Sequence, residues 1–160
     1  MIRGDWDGIS RLAKSKSCPS TSSGRTEIHI SPTVLTDLLS EAARVAPEEA
    51  CGLLMGHERD GRLRIARAVA APNVAAEPER RFEIDPRVLI DAQRAAREGG
   101  AQVVGYYHSH PAGAARPSAT DREMAAHDGR VWAVVAGGEV RFWRDAANRF
   151  EPLSYRLVDG

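Results

Sequence analysis

The sequence predicts an α/β domain in which helices pack against a mixed, twisted β-sheet. Segments with two-residue hydrophobic alternation interleave with segments whose apolar residues recur at helical spacing. Two helix starts carry the same signature, a capping side chain followed by proline, at Ser31-Pro32 and Asp85-Pro86. At 160 residues, the chain has the length of one domain that can bury its own core.

The first part of the folded chain predicts a strand, a helix and a hairpin. A short alternating strand covers residues 27–30, and a helix runs from Pro32 until Pro47 ends it. Two apolar segments then predict a β-hairpin. Its first strand, turn and second strand cover residues 50–55, 56–62 and 63–69.

The second part begins with a Pro-rich polar loop, residues 71–81, and a short strand over residues 82–84. A second helix starts at Pro86 and is stopped by Gly99 and Gly100. The remaining elements are a strand that ends in a histidine pair, a third helix, a hairpin around two glycines and a last strand. They cover residues 102–107, 119–127, 131–136 with 139–144, and 150–157.

Residues 1–25 differ from the rest of the chain. They contain six serines and both lysines, and they have no sustained apolar period. A segment of this composition buries too little apolar surface to fold. We therefore predict a disordered N-terminal leader over residues 1–25, followed by a folded domain over residues 26–160.

The composition favours no charged partner. Lys plus Arg is 22 and Asp plus Glu is 22, so neither nucleic acid nor an anionic membrane is expected as a ligand. No window approaches about 18 uninterrupted apolar residues. Cys18 and Cys51 are too few for a disulfide framework, which favours a reducing compartment. We expect a cytoplasmic protein whose oligomeric state the sequence does not define.

The residues that carry chemistry are concentrated between positions 108 and 121. His108 and His110 are two apart at the end of a strand, so both side chains point to the same side and can converge on one ion. Asp121 returns after a loop broken by proline and glycine. Two imidazoles and a carboxylate form a zinc ligand set, and a fourth position left open for water makes such a site catalytic.

Asp121 also has a purely structural interpretation. Ser118 and Asp121 have the spacing of a capping box, in which each side chain binds the backbone N–H of the other residue. Both roles can coexist, because a helix start fixes the geometry of Asp121 and favours its ionised form.

A water activated by zinc needs a proton acceptor, which a glutamate outside the ligand set commonly supplies. Glu48 and Glu49 precede the apolar strand at residues 50–55, and Glu123 lies beside Asp121. Spacing alone does not choose among these three glutamates.

Three segments together resemble the motif of the JAMM (MPN-plus) metalloproteases. The motif consists of a glutamate, then His-x-His-Pro, six residues, and Ser-x-x-Asp. It is matched here by Glu49, by His108-Ser-His110-Pro and by Ser118-Ala-Thr-Asp121, and the similarity extends over residues 27–157. The resemblance implies a JAMM/MPN-like fold, a layered α/β arrangement like that of cytidine deaminases.

The resemblance also implies a role for each residue. His108, His110 and Asp121 would bind Zn²⁺ with a water as fourth ligand, Glu49 would be the general base, and Ser118 would stabilise the tetrahedral oxyanion. The implied substrate is a ubiquitin-like protein or a small β-grasp sulfur carrier, cut after the C-terminal glycine of a Gly-Gly tail.

Two other functions compete with this one. A non-catalytic scaffold or binding module of the same fold typically lacks one or more of these residues, whereas all five are present here. A generic zinc peptidase is permitted by the ligands alone. Zinc-dependent deamination is not favoured, because its His-x-Glu and Pro-Cys-x-x-Cys motifs do not occur.

Overall fold

The computed structural model describes residues 26–160, and the predicted leader over residues 1–25 lies outside that part of the chain. Three helices lie among eight strands along this part of the chain. In chain order they are β1 (Glu27–Ile30), α1 (Pro32–Val45), β2 (Cys51–Arg59), β3 (Arg62–Ala71), α2 (Pro86–Arg97), β4 (Gln102–Ser109), α3 (Ala119–Met124), β5 (Val131–Ala136), β6 (Glu139–Asp145), β7 (Phe150–Leu153) and β8 (Tyr155–Leu157).

The eight strands form one mixed sheet in the order β7-β6-β5-β4-β2-β3-β1-β8. The pairs β4/β5, β1/β3 and β1/β8 are parallel and the other pairs are antiparallel, which confirms the predicted mixed sheet. Strands β7 and β8 lie at opposite ends of this order, yet only Ser154 separates them in the chain. The sheet therefore curls until its ends approach, and the rings of Phe142 and Tyr155 meet at 5.3 Å across the gap.

Apolar side chains cover both faces of the sheet. Helix α1 buries Val34 and Leu38 in a cluster that also contains Phe142, so α1 lies on the inner side of the curl. Helix α2 packs Leu89 on the outer face, against Leu53 and other residues of β2. The strands that carry the predicted site, β2 and β4, are thus covered on both sides and held rigidly. Within residues 26–160, no helix is both long and apolar enough to cross a membrane.

Both predicted helix starts are confirmed. The Ser31 hydroxyl accepts a hydrogen bond from the N–H of Val34 at 3.4 Å, and the Asp85 carboxylate accepts one from the N–H of Arg87 at 3.0 Å. Each cap is followed by a proline at the first helical turn. The caps satisfy backbone donors that a helix leaves free at its start.

Two strand boundaries differ from the prediction. Strand β2 continues through the segment predicted as a turn, because its polar residues still pair with β3 up to Arg59 opposite Arg62. Only residues 60–61 remain as the turn. The strand predicted over residues 82–84 is a single bridge between Asn73 and Ile84, since the loop before it folds back on itself.

The end of the chain also differs from the prediction. The single strand predicted over residues 150–157 is divided into β7 and β8, which pair with β6 and β1 at opposite ends of the sheet. The third helix, predicted to reach His127, ends at Met124. His127 has a left-handed φ of 52°, and its N–H donates to the Asp145 carboxylate at 2.8 Å. This bond holds His127 in a non-helical conformation.

Candidate active site

The beginning of β2 and the end of β4 meet at one place on the sheet. The two strands are antiparallel neighbours, and Cys51 pairs with His108. Continuing this register by two residues places Glu49 opposite His110. Residues that are far apart in the chain are therefore brought together by strand pairing.

A cross-strand pair of hydrogen bonds locks this register. The N–H of Ala50 donates to the Ser109 hydroxyl at 2.7 Å, and the N–H of Ser109 donates to the Ala50 carbonyl at 2.9 Å. The next N–H along the chain, that of His110, points to the other side and donates to the Val135 carbonyl of β5 at 2.8 Å. Ser109 was not predicted from the sequence, where the only signal for it is a small hydroxyl side chain between the two histidines.

Three side chains converge on one point, as the sequence predicted. His108 Nε2 and His110 Nε2 lie 2.9 Å apart, and each lies 3.2 Å from Asp121 Oδ2. Ligand atoms about 2.0 Å from a tetrahedral zinc ion would be roughly 3.3 Å from one another. The observed spacing is close to that value, so the donor set fits a small divalent cation.

The His110 ring is oriented for metal binding through Nε2. Its Nδ1 lies 2.9 Å from the Ala114 carbonyl. A carbonyl can only accept, so Nδ1 carries the hydrogen and Nε2 of the neutral ring presents a lone pair. Burial acts to lower the pKa of His110, but the contacts with Asp121 and Ala114 outweigh it and raise the pKa.

His108 is fully buried, and this burial lowers its pKa despite the neighbouring Asp121 carboxylate. The ring therefore stays neutral near neutral pH, which is the form that binds metals. Burial alone would raise the pKa of Asp121. Hydrogen bonds with His108 and His110 outweigh that effect, so the pKa of Asp121 lies well below its usual range.

Ser118 and Asp121 form the capping box that the spacing predicted. The Ser118 hydroxyl accepts from the N–H of Asp121 at 3.0 Å, and Asp121 Oδ2 accepts from the N–H of Ser118 at 2.6 Å. The same Oδ2 faces both histidines. Capping and metal ligation are therefore compatible, because α3 begins beside the histidine pair.

Glu49 differs from the other two candidate glutamates in its surroundings. It is 7% exposed, whereas Glu48 and Glu123 are exposed on the surface. Burial raises the pKa of Glu49 to about 7, with His110 lowering it and Asp121 raising it. Glu49 also lines an open cavity of 430 Å³ between α1 and the end of β3. A carboxylate with a pKa near the working pH is suited to accept and return a proton.

The loop at residues 72–84 contacts both parts of the site, which the sequence did not predict. Asn73 Nδ2 donates to the Glu49 carbonyl at 3.0 Å, and the N–H of Glu49 donates to the Pro78 carbonyl at 2.7 Å. Phe82 stacks its ring on that of His108. The polar composition of this segment gave no sign of these contacts. The remaining histidines, His29, His57 and His127, do not join the cluster.

The same region of the chain is similar to known proteins. The family described as prokaryotic homologs of the JAB domain matches residues 31–146. A desampylase of Haloferax volcanii is 39% identical over 104 residues, which cover 65% of this chain and 73% of that protein. A CysO-cysteine peptidase of Mycobacterium tuberculosis is 33% identical over 123 residues, 77% of each chain. The solution structure of a protein from Desulfitobacterium hafniense has a TM-score of 0.75 at 27% identity, covering 83% of this chain and 94% of that one.

Proposed function

This chain belongs to the family of prokaryotic JAB-domain proteins, which are metalloproteases, and we propose that it is a zinc-dependent peptidase or isopeptidase. Its substrate would be a ubiquitin-like or sulfur-carrier protein, cut after the C-terminal glycine. The convergence of His108, His110 and Asp121 beside the buried Glu49 is the observation that carries the proposal. The desampylase and the CysO-cysteine peptidase support the substrate class.

Zinc is the proposed metal because two imidazole nitrogens and one carboxylate oxygen at tetrahedral spacing suit Zn²⁺ better than Mg²⁺ or Ca²⁺, which prefer oxygen ligands. When bound, the ion supplies Lewis acidity, which polarises a carbonyl and lowers the pKa of a water molecule. His108, His110 and Asp121 would hold it.

Glu49 would act as the general base and then as the general acid. It would accept a proton from the attacking water as the water oxygen bonds to the glycine carbonyl carbon. It would then return that proton to the nitrogen as the carbon–nitrogen bond breaks, so the leaving amine departs neutral. The raised pKa of Glu49, about 7, favours both halves of this transfer.

Ser118 would stabilise the oxyanion that forms on the glycine carbonyl. Its hydroxyl oxygen accepts the N–H of Asp121, which fixes the position of the oxygen and leaves the hydroxyl hydrogen free to donate. A donor fixed before the reaction costs no reorganisation when charge develops.

A Gly-Gly tail is the proposed recognition element of the substrate. Glycine has no side chain, so an extended tail can approach a buried carboxylate closely. Whether the scissile bond is a peptide bond, an isopeptide bond or a cysteine adduct is decided by the group attached to the end of the tail.

The test uses ubiquitin-like proteins fused through a Gly-Gly tail to a reporter, with short unrelated peptides as a second substrate. Cleavage of the fusions but not of the peptides is expected, and equal cleavage of both would favour a generic zinc peptidase. Glu49→Gln should retain zinc and lower kcat by about 10²- to 10⁴-fold, since the ligands remain and the base is lost. Glu48→Gln, a change at the exposed neighbour, is the matched control and should be silent.

Asp121→Ala removes one of the proposed metal ligands, so this variant should lose zinc together with activity. Wild-type turnover by Glu49→Gln would exclude Glu49 as the base. A wild-type protein that binds zinc yet cleaves none of the fusions would favour the non-catalytic scaffold instead.

A further inference from the structure

The two histidines of the cluster are oriented by different means. His110 Nδ1 donates to the Ala114 carbonyl. His108 Nδ1 is buried and has no hydrogen-bond partner within residues 26–160. A metal-binding histidine usually donates its second nitrogen to an oxygen, which fixes the plane of the ring. The His108 ring therefore needs another constraint.

Aromatic packing supplies that constraint. The Phe82 ring lies 4.4 Å from the His108 ring with an interplanar angle of 18°, a stacked arrangement. The Trp132 ring lies 5.6 Å away at 88°, so it meets His108 edge to face. Rotation of the imidazole about its last side-chain bond would have to break the stack on one side and collide with the indole on the other.

Phe82 is itself held at both neighbouring residues. The Asn73 amide nitrogen donates to the Arg81 carbonyl at 3.0 Å, and the Asn73 amide oxygen accepts from the N–H of Glu83 at 3.0 Å. One side chain of the loop thus clamps the backbone on either side of Phe82. The ring is presented to His108 by this fixed backbone, and it also packs against the outer-face apolar cluster and the Trp132 ring.

We propose that Phe82 is a positioning residue that holds the His108 imidazole in the plane required for metal binding, in place of a hydrogen bond to Nδ1. The Phe82 side chain has no atom that can bind a metal, and it acts through its contact with His108. The inference rests on the metal-binding role proposed above for His108. It adds that the affinity of the site for its metal depends on an aromatic face at position 82.

The test measures zinc affinity by chelator competition in Phe82→Leu, which keeps apolar bulk but removes the flat face. The Kd for zinc should weaken by about 10- to 100-fold, the effect typical of losing a group that orients a metal ligand. Phe82→Tyr keeps an aromatic ring at this position, so its Kd for zinc should equal that of the wild type. The visible absorption bands of the Co²⁺-loaded protein should change in Phe82→Leu and not in Phe82→Tyr.

Phe142→Leu is the matched control, because Phe142 is a buried ring in the opposite cluster. It should lower the melting temperature of the zinc-free protein and leave the zinc Kd unchanged. A wild-type zinc Kd in Phe82→Leu would overturn the proposal, and so would equal weakening in Phe142→Leu. If Phe82→Leu does not fold, Phe82→Met serves with the same expected loss.

A failure of this proposal can be distinguished from a failure of the proposed function. His108→Ala should abolish tight zinc binding if His108 is a ligand. An unchanged zinc Kd in His108→Ala would contradict the metal site itself. A loss in His108→Ala combined with a wild-type Kd in Phe82→Leu would overturn only the role of Phe82.

Discussion

Replacing Ser109 with alanine should weaken the hydrogen bonding between the segment that carries Glu49 and the strand that carries the two histidines. The Ser109 hydroxyl accepts the N–H of Ala50 at 2.7 Å, and the two residues are 2% and 3% exposed, so water cannot take its place. A buried N–H left without an acceptor costs about 1–3 kcal/mol. For a domain of this size each kcal/mol lowers the melting temperature by roughly 3–5 °C. The expected loss is therefore about 3–15 °C.

The same change should lower turnover. Ala50 adjoins Glu49 and Ser109 lies between the two histidines, so the lost bond frees the base to move relative to the ligands. Misplacement by about 1 Å can cost about 100-fold in rate. Melting of the zinc-free protein and kcat on a Gly-Gly fusion at saturating zinc are the measurements, with Ser109→Thr as the control that keeps the hydroxyl. A melting temperature and kcat in Ser109→Ala equal to those of the wild type would refute the reasoning.

Three further predictions concern pH, packing and the first residues. Glu49 must be ionised to accept a proton, so kcat/KM should rise with pH along an acid limb. The midpoint of that limb should lie at or below pH 7, because a bound cation favours the ionised carboxylate of Glu49. A midpoint above pH 7 would contradict the assignment of Glu49 as the base. Gly105→Ala should lower the free energy of unfolding in denaturant by about 1–3 kcal/mol or more, because the new Cβ would overlap the backbone carbonyl oxygen of Val131 in β5. Unchanged stability would contradict this packing. Removing residues 1–25 should change neither melting temperature nor kcat, and a loss of activity would identify a functional arm.

The local elements of the fold could be predicted because their signals are local. The caps at Ser31 and Asp85 satisfy backbone donors within three residues, so the sequence alone defines those helix starts. The curl of the sheet could not be predicted in this way. One strand is predicted over residues 150–157, and its division depends on pairing with β6 and β1, which are more than 100 residues apart in the chain.

The site was predictable to a similar extent. The family resemblance is confirmed, and it selected Glu49 where spacing left Glu48 equally possible. Burial gives a physical reason for this choice, since Glu48 is exposed and Glu49 is buried just before β2. The contributions of Ser109 and Phe82 escaped prediction because each acts through a contact with a distant segment. Neither side chain belongs to a pattern that local spacing could reveal.

The pKa directions within the cluster have a common electrostatic origin. Burial disfavours charge on all three side chains, yet Asp121 remains ionised because both imidazoles face it, and the pKa of His110 rises in response. A proton on His110 Nε2 can offset the carboxylate charge, but this one hydrogen faces two acceptors, His108 Nε2 at 2.9 Å and Asp121 Oδ2 at 3.2 Å. A divalent cation would offset the charge and engage all three donor atoms at once. Three lone-pair atoms directed at one point repel one another unless a cation lies between them, so the arrangement favours a cation as its ligand.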